Sequence, residues 1–343
     1  MMMVQPSYYP KVSIIVAAYN SADTIQDCLQ SLLAQDYPPD HLEILVMDGV
    51  SKDNTVQIAK QLGIKVISID LNAPAAYNYA QKIVQHSILG FVDSDAKVES
   101  AWLKKLVKHL IVDEPTVAGV SGGIETWNQT NPWAKSIGYE LKNRYQRIGK
   151  YTNRIATMNL LLKRTIIEQV GGWNENLPSQ YDTDFGYRIA AQGYKIAYEP
   201  NAVCYHYNRP TLKAFYRQQL QYGKNTLKLY IKHKKLAKGD EITDAGMNIQ
   251  PLLLLSATIL FLLGLVPTLR LLWIGPPTIL IGMLLYFTYS ALKISHRFHD
   301  WTAMRLIVLY FVRSVAWFNG AITITLTHLL LPLTKKRRSP NDT

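Results

Sequence analysis

The amino-acid sequence predicts an α/β fold, a mostly parallel mixed sheet with flanking helices, followed by an α-helical transmembrane region. Three observations carry that expectation. Short β-branched runs alternate with helix-period segments four times before about residue 110, polar residues gather where those runs end, and long uncharged stretches begin abruptly at Pro251. Runs buried on both faces and separated by helices belong to a parallel sheet covered on both sides.

The elements follow in order. VSIIVA at 12–17 reads as a strand, the polar AYNS as a loop, and Thr24, Ile25, Cys28, Leu29, Leu32 and Leu33 repeat at helical spacing. The alternation recurs as EILVMD at 43–48 before a helix near 54–62. KVISID at 65–70 then precedes a helix near 74–86, and SILGFVDSD at 87–95 precedes one near 99–110. Open α/β sheets bind ligands outside the carboxyl ends of their strands, and Tyr19, Asn20, Asp48, Asp93 and Asp95 all fall there. From 117 to about 205 the pattern loosens into short strands, glycines and a helix around 163–170, read as an extension closing over that edge.

Composition must be read by region. The 343 residues are 48% hydrophobic and 18% charged with only 19 Gly and 16 Pro, which excludes a disordered or collagen-like chain. The net charge of +12 suits nucleic acid, phosphorylated ligands or anionic lipid. Its placement decides among them: residues 205–238 hold nine Lys or Arg and no acidic residue, at amphipathic spacing, directly before the apolar region. That pattern fits interfacial helices on anionic membrane lipid, with a solvated basic helix packed on its own domain as the plain alternative, and nucleic acid is an unlikely partner because the charge forms no base-reading module. Two cysteines, Cys28 and Cys204, have neither metal-site spacing nor an oxidised-scaffold pattern. The start MMMVQPSYYP lacks a basic region followed by an apolar run, so the first domain is expected to remain cytoplasmic.

Two uncharged runs, 17 residues from Pro251 and 21 from Leu271, are near the length of a membrane-crossing helix. A third, 306–333, is interrupted by Arg313, Asn319 and Gly320 and reads equally as a span or as a re-entrant or surface-lying segment. The charge rule leaves this open, since Lys293, Arg297 and Arg305 after two spans compete with KKRR at 335–338. The expected organisation is therefore a cytoplasmic domain at 1–204, basic interfacial helices at 205–240, a transmembrane or interfacial region at 251–333 and a basic tail at 334–343.

The sharpest chemical feature is FVDSDA, where a buried strand ends and presents Asp93 and Asp95. Their hard oxygens suit Mg²⁺ or Mn²⁺, ions that also bind nucleotide phosphates; the plain alternative is a polar turn capping the next helix. His206 in VCYHYNR is a metal ligand, a diphosphate contact or a structural imidazole. Gly122 and Gly123 offer close backbone passage or a simple turn.

Taken together, SIIVAAYNSADTIQDCLQSLLAQDYP, EILVMDGVSKDNTVQIA, GFVDSDA, GGWNENL and YDTDFGYRIAAQGY resemble the inverting family 2 glycosyltransferases, over roughly residues 10–225. The resemblance implies that Ala17, Tyr19 and Asn20 bind the nucleotide, that Asp48 contacts its base, and that Asp93 and Asp95 form the family's DxD with Asp95 on the metal. Where many members read DDGS this chain reads DGVS at 48–51, leaving Asp53 as a helix cap or a ligand. YDTDFGYR places Asp182 at the usual base position, with Asp184 as the alternative and Arg188 on the same helix. TMN at 157–159 falls where members line the donor or acceptor cavity. RQQLQYGK at 217–224 has Gln221 where Arg is common and lacks an intact QxxRW. The implied function is metal-dependent inverting transfer of a sugar from a nucleotide-sugar to a membrane-associated lipid-linked or polysaccharide acceptor, in a bacterial-type inner or plasma membrane. Two alternatives stand beside it: a processive polysaccharide synthase, and a non-catalytic membrane-anchored nucleotide-sugar-binding scaffold.

Overall fold

The computed structural model describes residues 9–112 and 114–335. The expected basic tail lies, from residue 336 on, outside the described residues. Two compact units emerge: one from the chain up to Gln129 together with Leu141–Asn208, the other from Thr130–Glu140 together with the chain from Arg209 onward.

In the first unit, strand β1 (Val12–Ala18) is almost wholly buried, as a β-branched run covered on both faces must be. Helix α1 (Ile25–Leu33) buries Ile25, Cys28, Leu29 and Leu32, one helical stripe, against the sheet. Strand β2 (Leu42–Asp48), helix α2 (Thr55–Gln61), strand β3 (Lys65–Ser68), helix α3 (Ala73–Ala80) and strand β4 (Ile88–Asp93) follow. β1 pairs in parallel with β2 and β4, and β2 with β3. The register sets Ala18 opposite Asp48 and Ala17 opposite Asp93, so three strand ends meet at one edge.

α3 ends six residues before the expected 86, because Lys82 and Ile83 donate to the carbonyls of Tyr79 and Ala80 in a tight turn. Beyond β4 the chain turns at Ser94 and Asp95 into strand β5 (Ala96–Val98), then helix α4 (Trp102–Val112), strand β6 (Val117–Thr126), helix α5 (Pro132–Tyr145), strand β7 (Tyr151–Thr152), strand β8 (Leu160–Lys163), helix α6 (Arg164–Val170), helix α7 (Tyr181–Ala191) and strand β9 (Lys195–His206). The sheet order is β3-β2-β1-β4-β8-β6-β9-β5, with β7 also on β9. β8 runs antiparallel to β4 and β6, and β5 antiparallel to β9, which makes the sheet mixed. One face buries α1 and α4 through Leu29, Trp102 and Leu106; the other buries Tyr77, Trp173, Phe185 and Ile189.

Gly122 and Gly123 line no turn. They sit in β6 at a register shift against β9, where a Cβ on Gly123 would lie 2.2 Å from the Pro200 carbonyl oxygen. Gly123→Ala is therefore expected to destabilise the unit by about 2–3 kcal/mol, measured as a lowered unfolding midpoint of the detergent-solubilised protein; an unchanged midpoint would contradict the close strand approach.

In the second unit, helix α8 (Leu212–Lys232) precedes helices α9 (Ala245–Leu263), α10 (Gly275–Phe298) and α11 (Leu306–Lys335). Three stretches, Ala245–Leu263, Pro267–Phe298 and Trp301–Thr327, are long and apolar enough to cross a membrane. Their outward faces carry Leu252, Phe261, Leu271 and Leu285, all more than half exposed, as lipid-facing residues are. The residues that interrupt the third run leave α11 unbroken: Arg313 pairs with Glu140, Asn319 donates to the Tyr216 hydroxyl, and Gly320 packs on the backbone of α8. α8 buries Phe215, Gln219, Gly223 and Leu229, and its other side carries exposed Lys213, Arg217 and Lys232.

Candidate active site

The strand ends of β1, β2 and β3 border a cleft of about 630 Å³, lined by Ala17, Tyr19, Lys52, Asp70 and Asn72 among others. Tyr19 projects into solvent at 61% exposure. Asn20 adopts φ +49°, a conformation Asn tolerates. Its side-chain oxygen accepts the Lys52 amide at 2.8 Å while its own amide donates to Ser51 Oγ, so it braces the facing loop. Asp48 is 1% exposed and does not line the cleft; both its oxygens accept the Ser51 amide, at 3.1 and 3.3 Å. Asp53 is likewise a brace, accepting from the Thr55 amide and hydroxyl and from the Ala22 amide, and the Thr55 hydroxyl holds its carboxyl below the usual range.

At the β4 end, Asp93 Oδ1 accepts a hydrogen bond from Thr157 Oγ1 at 3.0 Å. Desolvation pushes the Asp93 carboxyl up to about 7, with the neighbouring Asp95 charge adding and His206 opposing. His206, at the end of β9, is drawn to the same place because β9 pairs with β5 directly after the Asp95 turn. Its Nε2 lies 3.4 Å from Asp95 Oδ1, with the two side chains only 12% and 22% exposed, and its Nδ1 is 3.0 Å from Asn208 Oδ1. With Nδ1–H donated to Asn208, His206 keeps Nε2 on the Asp95 side, where the imidazolium pairs with the carboxylate and the neutral ring would be oriented to take up a cation. These two donor atoms, 3.4 Å apart, are the ones that would hold a divalent cation here. Among the described residues no three His, Cys, Asp or Glu side chains are grouped so that they could hold a metal ion, so an ion at this place would need substrate phosphate or water as further ligands.

α7 contributes two carboxylates with different surroundings. Asp184 is fully buried and accepts from Arg188 Nε at 2.8 Å, while Arg188 also donates to the carbonyls of Val170 and Gly172. Asp182 is half-buried, accepts the Thr183 amide at 2.7 Å, and is raised by desolvation against the pull of that amide and of the Arg154 guanidinium. Thr157 Oγ1 lies 3.0 Å from Asp93 Oδ1 and 3.4 Å from the hydroxyl of Tyr181, the first residue of α7, so the start of α7 and the β4 end meet at Thr157. Beneath it Tyr77, Phe91, Trp173, Tyr181 and Phe185 form a packed aromatic floor. Asn159 of the TMN segment is buried structure, bridging Trp102 Nε1, Gly123 and Ala202.

Reading the sequence alone missed Asp70 and Arg154. Asp70 carried a usable signal, since it follows a short strand just as Asp48 ends one; Arg154 carried none, because only the return of the chain through β7 brings it near α7.

Residues 13–171 match Glycosyl transferase family 2. The chain is 26% identical over 234 residues to Glycosyltransferase AglE of Haloferax volcanii, covering 66% of this chain and 76% of that one. It is also 26% identical over 230 residues to the dolichyl N-acetyl-alpha-D-glucosaminyl phosphate 3-beta-D-2,3-diacetamido-2,3-dideoxy-beta-D-glucuronosyltransferase of Methanococcus voltae, covering 62% and 71%. Among solved structures, the mannosyltransferase PcManGT from Pyrobaculum calidifontis, in complex with GDP-Man and Mn²⁺, aligns with a TM-score of 0.56 at 20% identity, over 90% of this chain and 88% of that one. That likeness is one of fold. The family match spans the strands whose ends build the cleft and the Asp93–Asp95 turn, so residues 13–171 form a family 2-like glycosyltransferase region, a sheet of the nucleotide-sugar-binding type, in a multi-pass membrane protein.

Proposed function

We propose that the protein is an inverting, divalent-metal-dependent glycosyltransferase that moves a sugar from a nucleotide-sugar to a lipid-linked or polysaccharide acceptor at the cytoplasmic face of the membrane. The observation that carries this reading is the meeting of the α7 start, where half-buried Asp182 follows Tyr181, with the strand end that holds Asp93, through Thr157. Asp182 is the general base: it takes the proton of the acceptor hydroxyl as that oxygen bonds to the anomeric carbon. The bond from that carbon to the diphosphate breaks on the opposite side, and the diphosphate leaves with the electron pair. Desolvation keeps the Asp182 carboxylate basic, and the Thr183 amide orients it.

Asp95 and His206 are the residues that would hold Mg²⁺ or Mn²⁺ beside the donor diphosphate, and Asp93, anchored by Thr157, keeps the turn in place. When bound, the ion offsets the negative charge that accumulates on the leaving diphosphate. The names of the Methanococcus relative and of the Mn²⁺-bound mannosyltransferase support a lipid-phosphate context and a divalent ion, respectively. The exposed cations of α8 bind anionic lipid headgroups beside the acceptor.

The test is the full-length protein in lipid, given a nucleotide-sugar panel and divalent ion, with mass spectrometry of lipid-linked products. Product from at least one donor is expected, and none across the panel would overturn the reading. Chelation with EDTA is expected to lower turnover at least about 10²-fold, with recovery on adding Mn²⁺ or Mg²⁺ to the wild type but not to Asp95→Ala. Full turnover in EDTA would remove the metal from the mechanism.

A further inference from the structure

We infer that Asp70 reads the donor base and that the base is guanine. The inference rests on the nucleotide-sugar reading above and names the base that reading leaves open. After β3 the Ile69 amide donates to the Asp48 carbonyl oxygen at 2.9 Å and the Leu71 amide to the Ile69 carbonyl oxygen at 2.8 Å. This tight turn sends Asp70 out onto the wall of the cleft. Its residue is exposed, and among the described residues no hydrogen bond or ion pair engages its carboxylate. Asp48 is spent differently: it is buried, it accepts the Ser51 amide, and it stands outside the cleft lining.

The cleft has an apolar floor that includes Ala17, Met47 and Ala76, with the exposed Tyr19 beside it. Such a floor orients a planar base without choosing one. The polar lining chooses. A carboxylate has two acceptor oxygens and no donor, and it is best satisfied by two adjacent N–H groups. Of the common bases only guanine presents these, N1–H and N2–H₂, on one edge. Uracil flanks its single N3–H with two carbonyl oxygens, so a carboxylate facing it sets acceptor against acceptor. Adenine and cytosine place a ring-nitrogen acceptor beside their amino group. Lys52, also on the cleft lining, supplies the cation that suits guanine O6.

The experiment measures binding of GDP, UDP, CDP, ADP and xanthosine diphosphate by calorimetry, on full-length protein in detergent with Mg²⁺. The wild type is expected to bind GDP at least about 10-fold more tightly than the others. Asp70→Asn replaces one acceptor by a donor; it should weaken GDP about 10-fold and strengthen xanthosine diphosphate, whose C2 oxygen replaces the guanine amino group. Tightest binding of UDP by the wild type, or undiminished GDP binding by Asp70→Asn, overturns the guanine assignment while leaving sugar transfer intact. Failure to bind any nucleotide overturns both.

Discussion

Asp182→Asn is expected to lower kcat by about 10²–10⁴-fold while donor binding changes less than about 2-fold. The argument is one of access. Asp182 and Asp184 stand two residues apart on α7, yet Asp184 is wholly enclosed and committed to Arg188, which also ties α7 to the carbonyls of Val170 and Gly172. Its loss leaves Arg188 without its buried partner and acts through stability. Asp182 is half-buried, accepts from the amide and hydroxyl of the adjacent Thr183, and follows Tyr181, whose hydroxyl shares Thr157 with Asp93. Desolvation raises the Asp182 carboxyl above the ordinary aspartate range. A base must be deprotonated, so the acidic limb of kcat against pH should sit above pH ~4, and activity should fall as pH drops through it. Product assays from pH 4 to 9 with donor titration read both effects. Near-normal kcat in Asp182→Asn, or its collapse only in Asp184→Asn, would transfer the base role.

The parallel half of the sheet was legible because each strand is a β-branched run and each helix a stripe, so β1 to β4 and α1 to α4 need only local pattern. The later strands depend on partners distant in sequence: β8 enters antiparallel between β4 and β6, and β9 closes the edge beside β5. His206 was readable as a residue type, but its meeting with Asp95 is a product of that last pairing. Asp48 illustrates the opposite limit. Its strand-end position was correctly read, whereas its burial depends on the Ser51 amide folding back over a Val50 held at φ +62°. A β-branched residue is strained there, and the family's DDGS carries Gly at that position. The segment Thr130–Glu140 clusters with the membrane helices although its own composition is polar, because its partners are Asp300, Thr302 and Arg313 far down the chain.

Arg313→Met is expected to destabilise the helical unit by about 3–5 kcal/mol, and Glu140→Leu added to it should recover most of that loss. Arg313 lies within a stretch apolar enough to cross a membrane, where an unpartnered guanidinium is costly. Its NH1 lies 2.5 Å from Glu140 Oε1, and the two side chains are only 5% and 8% exposed. Removing the cation alone strands a buried carboxylate whose desolvation nothing then offsets. Removing both charges leaves an apolar contact of similar volume, which buried ion pairs commonly tolerate. The same site separates this effect from a loss of packing, since Ser314 remains bonded to Gln250 and Trp317 to Gln219 on the adjoining turn. Thermal unfolding in detergent of the two single variants and the double variant measures the coupling. A single variant as stable as the wild type, or a double variant no better than the worse single one, would mean that the pair does not hold α11 to the α5 segment.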